Sequence, residues 1–382
     1  MTGKHIPAKS ERNDMPSRYV FFCTLSYSYS ILRPLQREIR RRGDDVAWFL
    51  ESTCEDMLRG DERRLHTIDD VMRYRPKAVI TAGDYVYPSF PGVKVCVFHG
   101  YPINKRADKH DDHFKLRGWF DICCTQSPLS TESFQKLAEK KGFFRVYETG
   151  WCRVDDFFSD VLEEQGRENE ERKVVLSVPK QPSLDTIVSQ KPTVIYACTY
   201  TKGITSAPML APVIEEMIQS KPWRWIITLH PMIDDVDIIN HYTTLAVRYP
   251  NVMFRKQLTT NDLRQGDVML SDMSSIILEF QLLGKPVVTF RNTSPGPHII
   301  DVSETKDVAE ALEQALTRPQ PLMDAIAAHT SLYEAHRDAK NSARVLDAID
   351  DFIDNWQGKL KRKPRQWLRR WQLYKQSQAY RQ

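Results

Sequence analysis

Asp267-Val-Met-Leu-Ser-Asp-Met-Ser-Ser275, continued by Ile276-Ile-Leu-Glu279 and Leu282-Leu-Gly-Lys-Pro286, frames the reading of the whole chain. Val268 to Leu270 form an apolar core with no polar face, as a strand buried on both sides of a parallel sheet requires. The strand ends in Ser271-Asp272, and an apolar helix opens at Ser274 and Ser275. A strand passing at once into a helix is the repeating unit of an α/β domain. The start of that helix has unpaired backbone N–H groups and partial positive charge, so it suits a phosphate or pyrophosphate. The two serine hydroxyls add donors at the same mouth. An Asp or Ser cap on an ordinary crossover helix is the other reading of these residues.

The same rhythm extends in both directions. The first half offers strands at Tyr19–Thr24, Val46–Leu50, Ala78–Thr81, Val95–Phe98, Ile122–Thr125 and Phe144–Tyr147, with a helix from about Tyr29 to Arg42 stopped by Gly43. The second half offers Thr193–Ala197, Trp225–Leu229, Val252–Phe254, Val268–Leu270 and Val287–Phe290. Helices fit between these at about 207–220, 234–248, 273–284 and 306–318. The class expected is α/β with two Rossmann-like parallel-sheet domains, and a length of 382 residues suits two domains. The expected divisions are a disordered lead at 1–17, a first domain at 18–160 and a charged, proline-bearing linker at 161–191. A second domain at 192–356 and a basic aromatic tail at 357–382 follow.

Composition narrows the class further. With 41% hydrophobic and 27% charged residues the chain can fill two cores. No apolar run approaches the roughly 18–20 residues that span a bilayer. The polar N-terminal stretch lacks the apolar segment of a secretory signal, so a cytoplasmic setting is expected. Seven cysteines, none in a CxxC pair, suit buried free thiols better than a disulfide framework.

The charge is uneven. From Gly358 to Gln382 there are nine Lys and Arg and no acid; removing these from the total of 54 leaves 45 basic against 50 acidic residues elsewhere. Within this tail Trp367, Leu368, Trp371 and Tyr374 fall at helical spacing with arginines between them. Such a helix reads as an anchor on an anionic membrane surface, or as a terminal helix packing its rings on the body. Nucleic acid is not an expected partner, because the basic charge is confined to one end.

In parallel sheets of this kind ligands bind beyond the carboxyl ends of the strands, and polar chemistry gathers there. His99-Gly100-Tyr101-Pro102 follows the fourth strand, and Gly150-Trp-Cys-Arg153-Val-Asp155 follows the sixth. Thr199-Tyr-Thr-Lys202-Gly203, His230-Pro231 and Ser271-Asp272-Met273-Ser274-Ser275 follow three strands of the second half. Two histidines, two cations and a hydroxyl-rich helix mouth converge on one inter-domain cleft. His110-Asp-Asp-His113 has a ligand-like spacing but no further ligands nearby, and reads as surface loop.

These five places, in this order, resemble the CDP-glycerol glycerophosphotransferase family, which builds poly(glycerol phosphate) of the teichoic-acid type. The resemblance runs from about Val95 to Phe290. Asp272, Ser274, Ser275, Glu279, Lys285 and Pro286 match the family's strand–Asp–aromatic–Ser-Ser pattern, with Met273 in place of the aromatic and Glu279 where an aspartate is common. His99, Gly100 and Pro102 match its His-Gly-Thr-Pro, with Tyr101 for the threonine and the following lysine one place late at Lys105. Gly150, Arg153 and Asp155, then Tyr196, Ala197 and Thr199, match two further motifs, and His230-Pro231 matches directly.

The resemblance implies a GT-B-like architecture, with the acceptor on the first domain and a CDP-linked alditol donor on the second. The implied reaction is attack of an acceptor hydroxyl on the β-phosphorus, releasing CMP, at the cytoplasmic face of the membrane. His99 is the expected general base. His230 serves the leaving phosphate, together with Ser274, Ser275 and the cations Arg153 and Lys202. Thr199, Asp272 and Glu279 complete the expected donor site, with Glu279 on the ribose. Gly100 and Lys105 lie on the phosphate or acceptor side. No metal or other cofactor is expected; the CDP-linked donor is a co-substrate and the acceptor is lipid-linked or a glycan. A GT-B glycosyltransferase or sugar-nucleotide epimerase, and a non-catalytic nucleotide- or polymer-binding component of an assembly complex, are the competing readings.

Overall fold

The computed structural model describes residues 15–101, 119–159, 191–364 and 367–381. The lead expected at 1–17 and the linker at 161–191 therefore fall almost entirely outside the described residues. The first sheet contains β1 (Arg18–Cys23), β2 (Asp45–Leu50), β3 (Arg63–Leu65), β4 (Ala78–Thr81), β5 (Val93–Cys96), β6 (Ile122–Thr125) and β7 (Arg145–Glu148). The second contains β8 (Thr193–Ala197), β9 (Arg224–Thr228), β10 (Val252–Phe254), β11 (Val268–Ser271), β12 (Val287–Phe290) and β13 (Ile300–Val302). Their orders are β3-β2-β1-β4-β5-β6-β7 and β10-β9-β8-β11-β12-β13, with parallel pairing throughout. Each sheet thus reverses direction once, between β1 and β4 and between β8 and β11. Such a switch point opens a crevice at the carboxyl ends of the strands.

Burial on both faces explains the continuous apolar strands. Along β1, Phe21 and Cys23 enter one core layer while Val20 and Phe22 enter the opposite one, the two-residue period of a pleated strand. The layer holding Phe21 runs on without a break through Trp151 and Phe157 to Ile195, Met269 and Phe280 of the second domain. Apolar packing therefore joins the two domains. All seven cysteines are buried and free.

Two C-terminal segments pack on the first domain. Helix Asn341–Asn355, grouped by sequence with the second domain, lies on the first. Its Val345, Ile349 and Phe352 share the core layer of Leu32 and Leu35. Arg42 Nη1 reaches Asp347 at 2.8 Å, and the Tyr147 hydroxyl donates to Asp351 at 2.6 Å. The chain thus crosses back after completing the second sheet.

Helix Trp367–Gln378 then docks on the other face of the first sheet. Leu373 is buried there, and the Tyr380 ring lies 5.2 Å from Phe49 while its hydroxyl donates to Glu51 at 3.0 Å. Trp367, Leu368, Trp371 and Tyr374 stay 71%, 82%, 55% and 51% exposed. The tail packs on the body, but not through its aromatic stripe. Among the described residues no helix is long and apolar enough to cross a membrane.

Candidate active site at the domain cleft

A cavity of about 200 Å³ opens between the domains, and both histidines singled out by sequence line it. On the first-domain wall β5 ends at Cys96, and Phe98 takes a left-handed conformation at φ 54° before the chain delivers His99. A bulky residue holds such a backbone only where its surroundings fix it. Here the Phe98 ring packs 4.9 Å from Phe134 and its carbonyl accepts the Trp151 indole N–H at 3.2 Å. His99 itself is exposed, with the Tyr27 ring 5.4 Å away.

On the opposite wall, His230 follows β9. Its Nδ1 accepts the backbone N–H of Met232 at 3.1 Å. A neutral His230 therefore carries its proton on Nε2. The Tyr200 ring stands 4.5 Å from the imidazole.

The floor is the strand–helix passage quoted at the outset. Helix Ile276–Leu282 is shorter than the sequence suggested. Ser274 and Glu279 line the cavity, whereas Ser275 is exposed, does not line it and makes no side-chain cap bond. Asp272 needs a different role from the expected donor contact. It is fully buried and all its acceptor capacity is taken: Oδ1 by the N–H of Thr199 (2.8 Å) and Met273 (2.6 Å), Oδ2 by the N–H and hydroxyl of Ser206 (both 2.9 Å). It bolts the end of β11 to the loop after β8, so it shapes the site without facing a ligand.

The Gly150-Trp-Cys-Arg153-Val-Asp155 stretch stitches the halves together. Gly150 sits at φ +74°, and a Cβ there would come within 2.5 Å of Asn341. The Asp155 carboxylate accepts the N–H groups of Asn341 and Ser342, both at 2.8 Å, capping the returning helix. Arg153 Nε donates to Glu279 Oε2 at 2.6 Å, an ion pair between domains whose side chains are 9% and 13% exposed. Separate ligands were expected for these two residues, the phosphate for Arg153 and the ribose for Glu279; here they hold each other.

Of the other expected site residues, Gly100, Thr199 and Lys202 do not line the cavity. The Gly100 carbonyl accepts from Gln126 at 2.9 Å, and Lys202 is exposed on its loop. Lys105, like His110 and His113, lies outside the described residues. Asp235-Val236-Asp237 has a spacing that can hold a divalent ion, but Asp235 Oδ1 instead caps its own helix by accepting from Asp237 and Ile238.

Among the lining residues not singled out by sequence, Lys256 and Tyr27 carry groups of chemical interest. Lys256 comes two residues after the end of β10, so the rule that found His99 and His230 would have found it too. Tyr27 lies in the turn after β1. Glu334 does not line the cavity and sits behind its wall. Burial pushes its carboxyl up to about 8, and it accepts the hydroxyl of Tyr101 at 2.6 Å and the N–H of Trp151 at 3.2 Å. Nothing in the sequence signals that contact.

No family model matches the chain, and neither does any curated protein. Solved structures do. A variant of the wall teichoic acid polymerase TagF superposes with a TM-score of 0.60 over 89% of this chain and 90% of that one, at 15% identity. The same polymerase soaked with CDP-glycerol gives a TM-score of 0.57 at 15% identity, covering 89% of each chain. A putative UDP-N-acetylglucosamine 2-epimerase from Listeria monocytogenes gives 0.54 at 12% identity, covering 89% of this chain and 97% of its own. The fold is GT-B-like. At these identities the likeness to the polymerase and to the epimerase speaks for the fold alone.

Proposed function

We propose that the chain transfers an alditol phosphate, glycerol phosphate in the first instance, from a CDP-linked donor to a hydroxyl of a lipid-linked or glycan acceptor, releasing CMP. The observation carrying this reading is that His99 and His230, from opposite domains, line one cavity with Ser274 and Lys256. An alcohol is a weak nucleophile at neutral pH, and His99 takes its proton as the oxygen attacks the donor's β-phosphorus. The new P–O bond replaces the bond from that phosphorus to the bridging oxygen, and CMP departs with the charge. His230 Nε2–H, the Ser274 hydroxyl and the Lys256 ammonium meet that charge with fixed donors, so little reorganisation is needed. Arg153 is held by Glu279, so it orients Glu279 and joins the walls rather than standing free for phosphate.

The lipid-linked form of the acceptor is supported by the exposed face of helix Trp367–Gln378, where Trp371 and Tyr374 stand among cations. Each such cation contributes about 1 kcal/mol near an anionic surface, enough in sum for reversible attachment at a cytoplasmic membrane face. The test is a donor screen with the full chain and a membrane extract as acceptor. CMP release from CDP-glycerol or CDP-ribitol is expected. Turnover of UDP-N-acetylglucosamine with no CMP release would favour the epimerase reading and sink this one.

A further inference from the structure

The end of the first sheet opposite the cleft carries a second cavity, of about 260 Å³, sharing no lining residue with the first. It lies at the starts of β5, β6 and β7, beneath the segment at 356–363. Its walls differ in kind. Phe143, Phe352, Trp356 and Leu360 supply apolar lining, and Lys94, Lys361 and Lys363 line it with one acid, Asp121.

That acid is already committed. Asp121 Oδ1 takes the Lys363 ammonium at 2.6 Å and Oδ2 the backbone N–H of Lys94 at 2.8 Å; Lys363 also donates to the Trp119 carbonyl at 2.8 Å. The other two ammonium groups are under-used. Lys94 Nζ makes one hydrogen bond among the described residues, to the Gly92 carbonyl at 2.8 Å, and Lys361 Nζ makes none. Burial pushes the Lys94 amine below its usual range, a cost that a bound anion would offset. A half-buried and an exposed lysine with spare donors beside an aromatic wall can take an anion that carries an apolar body.

We propose that this cavity binds the phosphate headgroup of an anionic amphiphile, with phosphate oxygens on Lys94 and Lys361 and the attached apolar body against Trp356 and Phe143. The apolar side is what separates an amphiphile from free phosphate. The surroundings point the same way. The Trp119 indole donates to the Pro364 carbonyl at 2.9 Å, and the Arg369 guanidinium stands 5.8 Å from the Trp119 ring. Through Lys363, which lines the cavity and bonds the Trp119 carbonyl, the cavity lies near the start of the helix that exposes Trp367 and Trp371. The site is independent of the cleft and stands whatever donor the cleft accepts.

Calorimetry on the full chain tests it, with dihexanoyl phosphatidate below its micelle concentration and inorganic phosphate as separate probes. Phosphatidate is expected to bind at least ~10-fold more tightly than inorganic phosphate, the difference coming from the apolar contact. Lys94→Met/Lys361→Met should weaken phosphatidate by about 10- to 100-fold through lost charge-assisted hydrogen bonds. Lys136→Met/Lys140→Met, which removes equal charge elsewhere on the domain, should leave it within about 2-fold. Leu360→Trp, which fills the cavity and keeps both lysines, should abolish binding. Circular dichroism establishes that each variant is folded. Equal affinity for inorganic phosphate, equal loss in the two double variants, or full binding by Leu360→Trp would each overturn the proposal.

Discussion

Removing one partner of the Arg153–Glu279 pair should loosen the molecule at its waist. The two atoms are 2.6 Å apart and the side chains about a tenth exposed, so water can do little to solvate a charge left behind. Breaking a buried pair on one side costs about 3–5 kcal/mol. The Trp151 and Phe157 rings lie 6.0 and 5.9 Å from the Arg153 guanidinium and remain in a Glu279→Leu variant. Those contacts return about 0.5–1 kcal/mol, which puts the expected loss at about 3 kcal/mol. Arg153→Met should cost a similar amount, because it strands Glu279. The double variant strands neither charge, so it should be more stable than the sum of the single losses by at least ~2 kcal/mol. Urea unfolding followed by tryptophan fluorescence gives the four stabilities of the cycle. Coupling below ~0.5 kcal/mol would refute the view that this pair ties the domains.

Three further outcomes follow from the geometry. Ser274→Ala should weaken CMP binding by about 10-fold, while the exposed Ser275→Ala changes it by less than about 2-fold, as calorimetry can establish. A chain ending at Gln357 should melt lower than the full chain, because it uncovers Phe49 and Tyr87 and leaves Glu51 without Tyr380. Trp367→Ser/Trp371→Ser should keep the melting temperature and lose binding to anionic vesicles instead. His329, stacked 3.5 Å from His298, is pushed down from 6.5 to about 4 by burial first and by His298 second. The folded state therefore binds fewer protons than the unfolded one between those values, and this stability, complete above pH 6.5, is lost as pH falls towards 4. His329→Phe should flatten the fall in melting temperature over that window, and an unchanged slope would contradict the assignment.

The βα rhythm was legible because strands buried on both faces leave unbroken apolar runs such as Val268–Leu270. β3 and β13 escaped for the converse reason. Arg63-Arg-Leu65 and Ile300-Asp-Val302 lie at sheet edges, where only some side chains are covered. Helix Asn341–Asn355 is amphipathic, but an apolar stripe does not say which sheet will cover it, so its return to the first domain could not be read. At the cleft, looking beyond strand ends found His99 and His230 and, applied once more, would have found Lys256. The method fails where residues serve each other. Asp272 looked like a ligand contact and is consumed by Thr199, Met273 and Ser206. Arg153 and Glu279 looked like two contacts and are one pair. The tail helix packs on the body through Leu373 and Tyr380, not through the tryptophans that the packing reading chose, and Trp371 faces solvent.

CMP release from CDP-glycerol in the presence of acceptor, compared between the natural chain and its His99→Ala and His230→Ala variants, tests the central claim most directly. Each variant should stay folded and lose about 10²- to 10⁴-fold in rate, since one lacks the base and the other the donor to the departing phosphate. Near-natural rates in both variants would contradict the assignment of this cleft as the place where the chemistry occurs.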